Sequence, residues 1–257
     1  MIYADTHVHL NDEKLYNKID QVIKEAHDND VKLLFVVGWD LESSIQALEI
    51  AHTYDNIYAI IGFHPCNIKN YTDKEYNFLK EYGKDDKVAA IGEIGYDLHW
   101  DDTTKEEQTI AFEKQIQIAI ELNKPISIHS READQLTFNM IKKYKDKLIG
   151  GVLHAYSGSV ELAEEYKKMN FVFGVGGVVT FKNAKTIKEV VKKIDMKYFI
   201  SETDSPYLTP TPYRGEENSP KYIPLIVKEI ANIKELDEDI VKQEILKNIE
   251  RVFKVCV

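Results

Sequence analysis

Cysteine is scarce in this chain, with only Cys66 and Cys256 among 257 residues. Thiols so far apart offer neither a metal-binding pair nor a disulfide framework, and they fit a reducing, cytoplasmic compartment. Long apolar runs are missing too. No stretch reaches the roughly 18 apolar residues of a membrane span, and no basic segment leads into an apolar one at the N-terminus, as in a signal peptide. Positive charge is in deficit: 33 Lys and Arg against 43 Asp and Glu leave a net charge of -10. That argues against a broad basic face for gripping a nucleic-acid duplex. It does not exclude a nuclease, because bound cations set the field inside a site. No GxGxxG or Walker-type loop occurs, so no nucleotide cofactor is implied.

What the chain does have is rhythm. Short β-rich runs fall at Ile2–Thr6, Lys32–Val37, Ile57–Ile61, Val88–Gly92, Pro125–His129, Leu148–His154, Phe171–Val175 and Tyr198–Glu202. Most are continuously apolar, as parallel strands covered on both faces should be. Between them lie stretches with helical spacing, including Glu42–Tyr54, Lys105–Leu122 (with Ile110, Phe112, Ile116, Ala119 and Ile120 as its apolar face) and Lys185–Ile194; Glu238–Phe253 reads as a last helix. Eight strand–helix alternations over this length predict a (β/α)₈ TIM barrel, one domain over residues 1–257. An open doubly wound sheet is the rival. The two differ in where ligand-type residues fall: around one rim in a barrel, near a switch point in an open sheet.

The polar residues favour a rim. His7 and His9 close the first run, His64 follows the third, Glu93 the fourth, His129 the fifth, His154 the sixth and Asp204 the eighth. His7 and His9 are two apart, so both face one way on an extended strand and can reach one ion. Glu93 has two oxygens and could bridge two ions. His129 and His154 would complete a second ion site, and Asp204 the first; Asp204 could also orient water or accept its proton. These nitrogen and carboxylate donors suit zinc, manganese or magnesium. Two such ions activate water and steady an in-line displacement, so hydrolysis is the expected chemistry.

Other residues would serve a substrate. Arg131 and Arg214 could clamp phosphate. His64 could bind a phosphate oxygen or move a proton. Tyr96, His99 and Trp100 could stack on a base or cover the pocket. Glu202 reads as support for the Asp204 loop. Cys66, with no base beside it, is not expected to be a nucleophile.

Taken in order, DTHVHL at 5–10, IGFHP at 61–65, IGEIGYD at 91–97, IHSRE at 128–132, HAYSG at 154–158, SETDSPYLTP at 201–210 and the run from Arg214 to Pro220 resemble the TatD-family metal-dependent deoxyribonucleases, within the amidohydrolase-like barrels. The resemblance implies a TIM barrel with two divalent ions. It assigns His7, His9, Glu93 and Asp204 to one ion and Glu93, His129 and His154 to the other, with His64 beside them. It implies hydrolysis of DNA, as a 3′-5′ exonuclease on single-stranded or frayed ends, by a monomer or weak homo-oligomer with no membrane partner. Glu216 and Ser219 depart from the family pattern where a basic and an acidic residue are usual. Together with the acidic balance, that keeps a second reading open, hydrolysis of a small lactone, amide or phosphoester.

Overall fold

A computed structural model describes residues 1–255, so Cys256 lies outside the described residues. The strands are β1 Tyr3–Val8, β2 Val31–Val37, β3 Ile57–Ile61, β4 Val88–Asp97, β5 Ile126–Arg131, β6 Gly151–Leu153, β7 Phe171–Val175 and β8 Phe199–Ser201. They form one parallel sheet in chain order, and helices on the return paths cover its outside. This is the (β/α)₈ barrel, not the open sheet. Each strand is buried on both faces, which is why β2 reads as an almost unbroken apolar run, with Lys32 its one exposed residue.

The barrel closes where β8 meets β1, and the seam is unusual. Among the described residues a single isolated bridge, Val8 to Ser205, lies at this seam, and Ser205 is already past the end of β8. The rest is done by side chains and loop backbone. The Thr6 hydroxyl donates to the Ser201 carbonyl (3.0 Å), and Ser201 Oγ donates to the Ala4 carbonyl (2.7 Å). Beyond the strand ends, Asp204 N–H donates to His7 O and His9 N–H to Ser205 O, both at 2.9 Å. These bonds fix His7, His9 and Asp204 relative to one another.

The helices follow local chemistry. Helix Lys105–Leu122 starts at a capping box between Thr104 and Glu107 and stops at Asn123 in the left-handed region. Its inner face differs from the one expected. Ile110 is 59% exposed, and Gln108 and Gln115 are buried instead. Both glutamines hydrogen-bond backbone that would otherwise be orphaned at strand ends. Gln115 pairs with the N–H and carbonyl of Phe63, and Gln108 with those of Asp97. An outside helix thus pins the ends of β3 and β4, where His64 and Asp97 sit. Helix Lys185–Lys193 buries Ile187, Val190 and Val191 and turns its lysines outward. Among the described residues no helix is long and apolar enough to cross a membrane.

Candidate metal centre

The barrel brings His7, His9, Glu93, His129, His154 and Asp204 together at the C-terminal ends of its strands, and all but His7 line a cavity of about 270 Å³. β4 is longer than its apolar run suggests. It continues through Glu93 to Asp97, so Glu93 projects from within a strand and is firmly held. Its two oxygens face different neighbours. Oε2 lies 3.5 Å from His7 Nε2, while Oε1 lies 2.8 Å from His129 Nδ1 and 3.7 Å from His154 Nε2. Asp204 Oδ1 stands 3.4 Å from His9 Nε2 and 3.8 Å from the Nε2 of both His7 and His154.

Metal-ligating imidazoles usually have the nitrogen away from the ion fixed by an outer partner. Two of the four are hydrogen-bonded there, and a third stands beside a carboxylate. His9 Nδ1 is 3.0 Å from the Val37 carbonyl. His129 Nε2 is 2.9 Å from Asp97 Oδ2. His154 Nδ1 is 3.0 Å from Glu202 Oε1, close enough for an ion pair but not aligned as a hydrogen bond, and that oxygen accepts the Ala155 N–H at 2.6 Å. His7 is different: it is only 1% exposed and finds no hydrogen-bond partner at either ring nitrogen. Buried polar atoms are almost always satisfied. An unpartnered Nε2 facing two carboxylates fits a metal ligand, and nitrogen and carboxylate donors on one space fit divalent ions. His7, His9 and Asp204 can offer ligand atoms to one point, as can His64, Glu93 and His129.

Crowding shifts every group here. Burial alone would push His129 down, but its bonds to Asp97 and Glu93 outweigh it and hold it up at about 9. Burial also opposes the charge on His154, yet Glu202, Asp204 and Glu93 together raise it to about 10. His7 is lowered by burial and by the neighbouring His154, whose ring stacks on it at 3.5 Å. Burial would raise Glu93 and Asp204; the surrounding imidazoles bring both below the usual carboxylate range. In the metal-free protein at pH 7, His129 and His154 therefore carry protons that an incoming ion must displace. Metal affinity should climb between pH 6 and 9, by about tenfold per pH unit for each proton released. Titration calorimetry in two buffers of different ionisation enthalpy counts those protons.

Three residues of this layer are ones the sequence reading passed over or misassigned. Asp97, given no role there, holds His129, and that contact draws its carboxyl down to about 2 against the effect of burial. Glu202 braces His154 rather than the Asp204 loop. That loop is braced by Asp5, which accepts from the Thr203 N–H (2.9 Å), the Thr203 hydroxyl (2.5 Å) and the His7 N–H (3.2 Å). Asp97→Asn and Glu202→Gln should each weaken metal binding by about 10–100-fold with the fold intact. Competition against a chromophoric chelator, with circular dichroism as the fold control, checks this.

The remaining candidates divide. His64 lines the cavity, its ring 4.3 Å from that of His129. Burial and His129 push it down to about 4, and its Nδ1 accepts the Cys66 N–H at 3.2 Å. A neutral imidazole that accepts at Nδ1 carries its proton on Nε2. Arg131 and Arg214 do not line the cavity. Arg131 lies over the Trp100 ring at 5.6 Å and Arg214 over the Phe181 ring at 4.1 Å. Tyr96 is not a base-stacking surface: it is buried, and its hydroxyl donates to Thr109 at 3.0 Å. Aromatic walls come instead from Trp39 and Tyr207, beside Asp12 and Asn67. Burial pushes the Cys66 thiol up to about 12, which leaves it inert at neutral pH.

A family model described as TatD related DNase matches residues 4–254. The protein YabD of Bacillus subtilis, named a metal-dependent hydrolase, is 41% identical over 251 residues, covering 98% of each chain. A Methanocaldococcus jannaschii protein so named is 37% identical over 257 residues, covering 98% of this chain and 97% of its own. Among solved structures, the TatD homologue YJJV of Escherichia coli superposes with a TM-score of 0.93 at 26% identity, covering 99% of this chain and 98% of its own. An organophosphorus hydrolase mutant from Deinococcus radiodurans shares the fold alone, with a TM-score of 0.68 at 9% identity, over 98% of this chain and 92% of that one.

Proposed function

The chain belongs to the TatD related DNase family, and on that premise we propose that it is a metal-dependent hydrolase of DNA phosphodiesters, acting as a 3′-5′ exonuclease on single-stranded or frayed ends. The observation that carries the reading is Glu93, which sends one oxygen to His7 and the other to His129 and His154. His7, His9, Glu93 and Asp204 would hold one divalent ion, and Glu93, His129 and His154 a second. Four imidazoles with two carboxylates suit zinc or manganese better than magnesium, which prefers oxygen donors. Ions bound there lower the pKa of water and neutralise charge on a phosphate.

The chain's own residues do the rest. Asp204, at the edge of the cluster, orients the attacking water and takes its proton. His64, with its proton on Nε2, donates a hydrogen bond to a phosphate oxygen as charge builds there. Trp39 and Tyr207 flank the polar cavity and offer ring faces to a base. Arg131 and Arg214, held on aromatic rings outside the cavity, clamp phosphates further along the strand.

One observation favours the second reading, a small lactone, amide or phosphoester: neither arginine lines the cavity. The deciding assay gives end-labelled single-stranded DNA to metal-stripped protein and adds back magnesium, manganese or zinc, with His7→Ala and Glu93→Ala as controls. Laddering that needs metal and disappears in both variants supports the nuclease. Intact DNA beside a protein that still binds metal turns the search to the small substrates.

A further inference from the structure

We propose that a second cavity, sharing Asp204 with the metal centre, binds the nucleobase adjoining the scissile phosphate; this rests on the phosphodiesterase reading above. The cavity holds about 290 Å³ and is lined by Tyr156, Val178, Ile187, Glu202, Asp204 and Leu208. Asp204 also lines the polar cavity, so the two spaces meet at that carboxylate. Their chemistry differs. The first is walled by imidazoles and carboxylates with the rings of Trp39 and Tyr207; the second exposes mostly apolar surface, with Ser157, Asn183, Thr186 and Thr203 interspersed.

Size and polarity select the occupant. Clefts for drug-sized ligands run to roughly 300–1,000 Å³, so this space takes one ring system and not a length of strand. With a phosphate at the metal centre, a nucleotide's sugar and phosphate belong in polar surroundings. The base is its flat, largely apolar part. Tyr156, Val178 and Ile187 come from three separate segments: the turn after β6, the 3₁₀ turn Gly177–Thr180, and the first turn of helix Lys185–Lys193. They leave room because glycine stands at 176, while Gly174 makes space for the Glu202 carboxylate, on which a Cβ there would fall.

Among the described residues Glu202 is 1% exposed and its Oε2 is packed against Gly174, so its side chain is a wall of the cavity and not an acceptor for the ligand. At the cavity's margin, Lys185 lies on the first turn of a helix whose N-cap residue, Ala184, supplies no side-chain cap. That combination favours the next phosphate of the strand.

The test uses metal-loaded protein and single-stranded DNA in which a tetrahydrofuran abasic residue replaces one nucleotide at a time around the cleaved bond. Val178→Trp fills the cavity from its wall. Gly176→Val fills it from a position with extended backbone, where an added Cβ meets only ordinary contacts with Glu202. Loss of one adjoining base should raise KM about tenfold for the wild type, consistent with the strength of base stacking. Both variants should cleave intact DNA with that same raised KM and be indifferent to the abasic residue. A wild type indifferent to both adjoining bases overturns the proposal, as does a filled variant that still discriminates. If no DNA is cleaved, the nuclease reading fails and calorimetry decides the cavity separately. Binding of dAMP about tenfold tighter than 2-deoxyribose 5-phosphate, with the advantage lost in Val178→Trp, upholds it; equal affinity overturns it.

Discussion

Glu93→Gln should cut metal-dependent hydrolysis by about 10³-fold or more, which is about 4 kcal/mol of lost transition-state stabilisation. The change keeps the side chain's size and removes only its charge and one acceptor oxygen. Both matter here. Glu93 is the one carboxylate facing His7 on one side and His129 and His154 on the other. Glutamine can present an oxygen to one set only, and its amide nitrogen then opposes the other. The variant should hold about half the wild-type metal or less, since a neutral amide is a poor ligand for a hard cation. Metal content by atomic absorption and turnover with saturating metal are the two measurements. Full metal content with full activity would remove Glu93 from its proposed place. The contrast with Asp97→Asn is informative, because Asp97 reaches the proposed metal centre through His129.

Gly95→Ala should be the most damaging single methyl group in the barrel. Gly95 has φ of +147°, where side chains are strongly disfavoured. It pairs with His129 across the β4–β5 ladder, and an added Cβ would fall on the His129 carbonyl oxygen. Backbone strain and overpacking each cost about 1–3 kcal/mol, and here they combine. A loss of about 4 kcal/mol lowers Tm by about 10 °C in a chain of this size. Because the displaced strand carries His129, metal affinity should fall too. Scanning calorimetry with and without zinc separates the two effects. A variant that melts with the wild type would show that β4 and β5 part here at little cost.

The barrel and its cluster were legible in the sequence because both leave simple marks. Doubly buried strands are unbroken apolar runs, and residues such as His129 and His154 at their ends have no packing reason to be polar. The bracing layer was missed because β4 seemed to end where its apolar run ends, at Gly92. Carried on through Asp97, past an irregularity in the β4–β5 register between Ile91 and Ile94, the strand brings Asp97 to the same His129 ring that Glu93 contacts. Asp5 was missed because it acts on backbone: it accepts the N–H groups of His7 and Thr203, where the β1–β2 register is irregular between Asp5 and Val8. Gln108 and Gln115 were illegible for another reason. A buried glutamine on a helix looks like a surface residue until the backbone groups it satisfies, at Phe63 and Asp97, are seen.

The seam between β1 and β8 sets an order on the making of the protein. His7 and His9 leave the ribosome about 195 residues ahead of Asp204. At typical translation rates of about 5–20 residues per second, the wait is roughly 10–40 s. Through that interval β1 has an unpaired edge, and Asp5 has no Thr203 to hold. Until Asp204 has emerged, a nascent chain cannot bring the proposed ligands together, so on this reading ion capture waits for that residue. Fragments that stop short of Ser201 should leave that edge permanently open, the condition under which strands pair with other chains and aggregate.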